Sequence, residues 1–348
     1  MEPYPASPPL PRAEFEFTGS GGEYFRIWIV NLALTVVTLG IYSAWAKVRR
    51  LQYFYRNTRV ADASFDYHGN PVAILKGRIV AVVLLFAYNF ALEFRPVLAL
   101  IVAIPVALAL PWILRQSLRF RLHYSSWRGL RFSFRGDLAG AYRVFMKWPI
   151  LTQLSLYLLG PMWHQRLKHY QHGNSFFGDT RFSIAASVGA FYRIYAVAAG
   201  IMLALLIGGA VLAMQLRDAA VPVGFGAAMA ALVLFPLVIF GFLLLVGPYL
   251  LARIQNLVWN TTALGPHGFE SRLRARKLAW IGATNLLLIV LTLGLYMPFA
   301  AVRLARYRVA CMSLLPGTAL DEFVAAQKAH VGAFGEELGE FLDIDIAL

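Results

Sequence analysis

The chain has 348 residues, 59% of them hydrophobic and only 14% charged, and its mean hydropathy is +0.60. That balance excludes an ordinary soluble domain and points to an integral membrane protein. The formal net charge of +14 would suggest nucleic acid on a soluble chain; beside long apolar runs it reads as basic loops facing the cytoplasm and anionic lipid, so a membrane-lipid partner is expected and a nucleic-acid partner is not.

The N-terminus, Met1-Glu2-Pro3-Tyr4-Pro5, has no basic n-region, so no signal peptide is expected, and residues 1–13 read as a disordered segment. Residues 14–316 read as a membrane domain built from repeated units. Phe15-Glu16-Phe17-Thr18-Gly19 recurs as Phe65-Asp66-Tyr67-His68-Gly69 and Phe132-Ser133-Phe134-Arg135-Gly136, with weaker copies at Phe182-Ser183-Ile184 and Phe269-Glu270-Ser271. The starts near 15, 65, 132, 182 and 269 are spaced by 50, 67, 50 and 87 residues, so short and long intervals alternate. Aromatic and polar residues alternating up to a glycine predict short strands, and turn residues such as Ala61-Asp62, Gly178-Asp179 and Gly265-Pro266 predict small cytoplasmic β-hairpins there.

Each long interval holds two apolar runs, 79–92 with 97–114 and 194–214 with 223–251, read as transmembrane helical hairpins. Each short interval holds one run: 24–45, 144–163 and 280–299. The second and third of these are basic at both ends. If all three runs crossed the bilayer, two large basic loops would face outward, against the positive-inside rule. The expected fold is therefore an all-α integral membrane protein with two transmembrane hairpins, three re-entrant or interfacial helical hairpins and short cytoplasmic β-hairpins at the Phe-x-Phe motifs. Seven transmembrane helices are the alternative. The re-entrant turns are placed at Gly40, at Gly160-Pro161 and at Gly294.

The arms after those turns are basic and aromatic. Trp45, Lys47, Arg49, Arg50, Arg56, Arg166, Lys168, Arg303 and Arg306 are candidate headgroup-binding residues. Asn31, Gln153 and Asn285 lie before the three turns at comparable distances, a candidate intramembrane polar cluster. Residues 317–348 read as an acidic amphipathic cytoplasmic tail, anchored by Phe323, Phe334 and Leu338, which docks on the basic face or meets a soluble partner or a second copy.

No catalytic or metal motif is present. His164, His169 and His172 have no acid or cysteine to complete a metal site, and Cys311 is alone. No cofactor and no enzymatic activity are expected. The Thr-Leu-Gly-Ile-Tyr…Trp…Arg…Tyr…Asn-Thr pattern from Thr38, the Phe-x-Phe-x-Gly strands, and Gly335-Glu336-Glu337-Leu338 with Phe341-Leu342-Asp343-Ile344-Asp345-Ile346 resemble the YjgN-type bacterial inner-membrane proteins, over nearly the whole chain from Phe15. The resemblance implies a multi-pass protein of the bacterial inner membrane and supplies no catalytic residues. The middle copy departs from the pattern at Gly160-Pro161. Repeats and half-helices make a transporter- or channel-like protein for a small solute or lipid the first expectation, with both termini cytoplasmic. A non-catalytic envelope protein organising lipid or partners comes second, and a membrane enzyme a distant third.

Overall fold

The structure, a computed structural model, describes residues 11–218 and 238–329, together with Leu232 and Pro236. It overturns the all-α expectation. Ten short strands close into one antiparallel barrel, each strand pairing with its neighbours in sequence and the first pairing with the last. The helices hang from this barrel in pairs, five times over.

The first unit is β1 (Ala13–Phe17), α1 (Gly21–Val37), α2 (Ser43–Arg56) and β2 (Thr58–Val60). The second is β3 (Ala63–Tyr67), α3 (Pro71–Phe94), α4 (Pro96–His123) and β4 (Ser125–Trp127). The third is β5 (Leu130–Phe134), α5 (Leu138–Tyr142) continuing through a π-turn into α6 (Trp148–Leu154), then α7 (Gly160–Gly173) and β6 (Ser175–Phe177). The fourth is β7 (Thr180–Ile184), α8 (Val188–Asp218), α9 (Gly247–Asn260) and β8 (Thr262–Leu264). The fifth is β9 (His267–Ser271), α10 (Ala275–Leu291), α11 (Met297–Ala310) and β10 (Met312–Leu315). Within the long units four stretches are long and apolar enough to cross a bilayer: Pro71–Phe94, Val97–His123, Val188–Val211 and Val238–Asn260. The outer turn of the second long hairpin, the N-terminal segment 1–10 and the tail beyond 329 lie outside the described residues.

One backbone hydrogen bond fastens each unit at its base. The amide after each unit's first strand donates to the carbonyl just before its second: Thr18 to Asn57, His68 to Tyr124, Arg135 to Asn174, Ala185 to Thr261 and Arg272 to Cys311, all at 2.8–2.9 Å. The glycines that end three Phe-x-Phe motifs sit at this base. A Cβ on Gly19, Gly69 or Gly136 would lie 2.8, 2.4 or 2.6 Å from the ring of Phe17, Tyr67 or Phe134, two residues earlier. The ring folds down onto bare backbone. Where no ring precedes, a side chain is admitted: Ala186 follows Ile184 and Leu273 follows Ser271, and both are buried.

The three short apolar runs are helical hairpins. The turns after α1 and α10 share one geometry, with left-handed Leu39 and Gly40 (φ 49° and 93°) matched by Leu293 and Gly294 (φ 49° and 93°). The middle turn is not at Gly160-Pro161. It lies at Leu156 and Tyr157 (φ 51° and 67°), and the bond from Tyr157 N to Thr152 O replaces those from Gly40 N to Thr35 O and Gly294 N to Ile289 O. Pro161 is in the first turn of α7, where its fixed φ and missing N–H suit a helix start. A tyrosine therefore occupies the left-handed position that glycine fills in the other copies.

Gly69→Ala is expected to cost about 1–3 kcal/mol, because the buried Tyr67 ring has no room to withdraw. Gly77→Ala, where a new Cβ meets nothing within 4 Å, should melt at or slightly above the wild-type temperature. Fluorescence-detected thermal unfolding in detergent checks both; equal melting of the two variants would show that the ring does not rest on Gly69.

Candidate functional site

Strand residues alternate between the two faces of a sheet. This turns the first aromatic of every motif into the barrel. Phe15, Phe65, Phe132, Phe182 and Phe269 stack in succession at centroid separations of 6.3, 6.4, 6.5 and 6.2 Å, with interplanar angles of 12–28°. Their neighbours face outward and are polar, and cross-strand ion pairs such as Arg12–Glu270 at 2.7 Å sit there. A second inward layer, Val60, Trp127, Phe177, Leu264 and Leu314, comes from the three- and four-residue strands. Side chains just fill an eight-stranded barrel; ten strands leave room. The lumen holds a cavity of about 480 Å³ lined by these two layers and by helix residues, most of them aromatic or aliphatic, within the range of small-molecule sites.

The hairpin-turn end is covered. Residues 320–329 form a helix that lays Leu320, Phe323 and Val324 against the second layer. Phe323 stands 4.5 Å from the His267 ring and 6.3 Å from Phe177. Arg128 pairs with Asp321, and the Asp179 amide donates to Gln327 Oε1 at 2.9 Å. His267 is 1% exposed. Its Nδ1 accepts from the Gly317 amide at 3.3 Å, which leaves the proton on Nε2, and burial holds the ring below the ordinary histidine pKa, so it is neutral. Nε2 lies buried beside the lumen with no hydrogen-bond partner among the described residues.

The helix end of the lumen is basic. Arg308 donates to buried Gln255 Oε1 from Nε and Nη2, at 3.0 and 2.7 Å. Lys168 lies near. Burial first, then the charges of Arg121 and Arg308, hold its ammonium below the usual lysine pKa. His172, packed edge-on to Trp259 at 5.5 Å, is pushed down to about 4 by burial, then by Lys168, His169 and Arg121. No carboxylate is paired with Arg308 or Lys168 among the described residues. This throat can hold an anion, and the lumen beyond it can hold hydrocarbon.

The residues singled out in the sequence are scattered. Gln153 is exposed, while Asn31 and Asn285 are buried, and none of the three hydrogen-bonds another among the described residues. Asn285 is held inside its own hairpin, donating to Ala300 O and accepting from Arg303 at 3.2 Å. The hairpins do not bring the three amides together, because the middle turn is displaced along the chain and Gln153 follows it onto the outer face. Among the basic candidates, Arg56 pairs with Asp66 at 2.8 Å, Arg306 donates to Gly19 O at 2.8 Å, and Arg303 also binds Thr284. Arg49 lies over Tyr42, which stacks on Trp45, and Arg166 lies over Trp148. Lys47 and Arg50 line one cleft together on α2, and Lys168 lies within reach of the Arg308 charge. His164 contacts the Tyr195 hydroxyl at 2.8 Å and His169 the Ala186 carbonyl at 3.1 Å, so the histidines point to separate partners. No group of three potential metal ligands is found among the described residues. Arg308, Gln255 and His267 were not singled out beforehand. Only His267 left a local sign, since counting back two from Phe269 puts it on the same face.

The family described as "Bacterial protein of unknown function (DUF898)" matches residues 12–341 of the chain. Among curated relatives, Inner membrane protein YjgN of Escherichia coli O157:H7 is 30% identical over 42% of this chain and 37% of its own length. Inner membrane protein YjgN of Salmonella typhimurium is 28% identical over 41% and 36%. The match thus spans little more than a third of those relatives. No solved structure matches.

Capping of the lumen should rest on the aromatic contact. Phe323→Ala is expected to loosen helix 320–329 and speed proteolysis near Pro316. Asp321→Asn, which removes a pair whose acid is 91% exposed, should change the cleavage rate little, since exposed pairs contribute about 0–1 kcal/mol. Faster cleavage of the Asp321 variant than of the Phe323 variant would reverse this ranking.

Proposed function

The chain belongs to the DUF898 family of bacterial proteins, and we propose that it is a multi-pass inner-membrane protein that binds an anionic amphiphile, a lipid or a fatty-acid-like solute, in the barrel lumen. It acts as a carrier or transporter-like protein and not as an enzyme. The observation that carries this reading is the pairing of an apolar, aromatic-lined cavity with Arg308, a cation unpaired to any described acid, at its helix-side mouth and Lys168 close enough to feel its charge. The tail lies among hydrocarbon and the head meets Arg308 and Lys168. An anionic head would give Arg308 and Lys168 the counter-charge that no described acid supplies.

The three short hairpins enter the bilayer and return. Their tips support this: Leu39, Leu156 and Leu293 are 94, 85 and 95% exposed, and apolar neighbours flank each. Such surface is stable only in lipid or under a partner. Both arms of every described hairpin run to one end of the barrel, so the barrel lies on one face of the membrane. The basic residues around the hairpin bases support a cytoplasmic position for that face. The envelope-organising alternative needs no ligand in the lumen, and the binding experiment separates the two.

A dansylated medium-chain fatty acid, added to the purified protein, should bind and be displaced by unlabelled fatty acid. Arg308→Gln should weaken binding by roughly tenfold, the loss of one charge-assisted contact, and Arg308→Lys should restore part of it. Affinity should fall as pH rises, beginning below the range of an ordinary lysine, because Lys168 loses its charge early. Binding unchanged in the Arg308→Gln protein and across that pH range would remove the throat from the site.

A further inference from the structure

A second cleft, of about 700 Å³, lies outside the barrel on the membrane side. Asn31 and Thr35 of α1 form one wall, Ser43, Lys47 and Arg50 of α2 another, and Arg78 of α3 closes it against Pro298 of α11. Three units of the fold therefore meet there. Arg78 donates to the Ser43 hydroxyl from the neighbouring hairpin. None of Lys47, Arg50 and Arg78 is in an ion pair among the described residues. Asn31 is 7% exposed, and its Oδ1 is buried with no hydrogen-bond partner among the described residues although Asn31 lines the cleft. The Thr35 hydroxyl does not serve it, being engaged with the Asn31 backbone carbonyl at 2.6 Å.

The position narrows the ligand. Just beyond the cleft, the hairpin tip exposes Val36, Val37, Leu39 and Ile41, the part that lies in hydrocarbon. On the other side lies the polar rim of the barrel. A cleft between them sits at the level of lipid headgroups. Three cations from two helices suit a phosphate, and an unsatisfied carbonyl oxygen suits a hydrogen-bond donor a few ångströms from it. A free phosphate offers no alkyl chains to the apolar tip, and at neutral pH it has little donor capacity to spare for Asn31.

We propose that this cleft is a specific phospholipid site. Lys47, Arg50 and Arg78 hold the phosphodiester, and Asn31 Oδ1 accepts a hydrogen bond from a headgroup hydroxyl or ammonium. The site selects phospholipids whose headgroup can donate. It stands independently of the lumen reading, since no cleft residue lines the lumen.

The test is native mass spectrometry of the detergent-purified full chain, titrated separately with phosphatidylglycerol, phosphatidylethanolamine and phosphatidylcholine of matched chains. Wild type should retain the first two more tightly than phosphatidylcholine, which has no donor. The Lys47→Gln, Arg50→Gln, Arg78→Gln protein should retain phosphatidylglycerol roughly tenfold less or worse. Asn31→Leu, which keeps the branched side-chain shape and removes the amide, should keep the affinity for phosphatidylcholine and lose the preference. Lys76→Gln on the same helix α3, outside the cleft, should behave as wild type. Monodisperse elution of each variant separates lost binding from lost folding. Equal retention of phosphatidylglycerol by the triple variant, or no preference over phosphatidylcholine in wild type, would overturn the proposal. Displacement of bound phosphatidylglycerol by millimolar inorganic phosphate would assign the cleft to the free ion and overturn the lipid reading.

Discussion

No strand of the barrel exceeds five residues and four have three, so none could stand without partners on both sides. Strand pairs of this length are marginal in water, and an open sheet of them would leave two unpaired edges. Pairing of β1 with β10, nearly 300 residues apart in the chain, removes those edges. Everything else hangs on that closure. It fixes the five units around one axis, turns the five phenylalanines toward each other, and gathers the bases of the helical hairpins at one rim. The matching base hydrogen bonds, from Thr18 to Asn57 through Arg272 to Cys311, show each unit meeting the barrel in the same way whether its helices are long or short.

The phenylalanine spacing was legible because it is local: five aromatics at positions 15, 65, 132, 182 and 269 mark where each unit begins, and they became the lumen ring. The closing strands were not. Thr58–Val60 and Ser175–Phe177 are too short to leave an alternation, and nothing in a three-residue segment says which distant strand it will pair with. The Arg128-Gly129 turn, both residues left-handed, was hidden inside a basic cluster. The middle turn lies three residues before Gly160-Pro161, a pair that imitates a turn, because Tyr157, with no local signature, makes it. The polar cluster failed with it, since its equivalence of Gln153 to Asn31 and Asn285 depended on that alignment.

The candidate site lay further from reach. Arg308 and Gln255 lie 53 residues apart in neighbouring units, with β8, β9 and α10 between them, and meet because α9 and α11 come together beside the lumen. The chemistry of the molecule divides along the barrel axis. At the turn end, a helix from the tail covers aromatic surface and a neutral His267. At the helix end stands positive charge without described counter-ions. Between them is a space that hydrocarbon fits and water does not favour. The same division recurs outside the barrel, where apolar hairpin tips and a polar rim bracket the Lys47–Arg50–Arg78 cleft. Both features follow from one architectural fact: the chain leaves the sheet always at the same end.

The closure itself can be measured directly. In a Cys311→Ala background, Glu14→Cys and Ser313→Cys place thiols on residues that are partners across β1 and β10, while Glu16→Cys and Arg59→Cys mark the β1–β2 pair as a local control. Mild oxidation of membranes followed by non-reducing electrophoresis should link both pairs within one chain to similar extents, with a mobility shift that reductant reverses. Linking of the control pair with none at 14 and 313 would mean that the sheet is open, and the lumen with its ring of five phenylalanines would not exist.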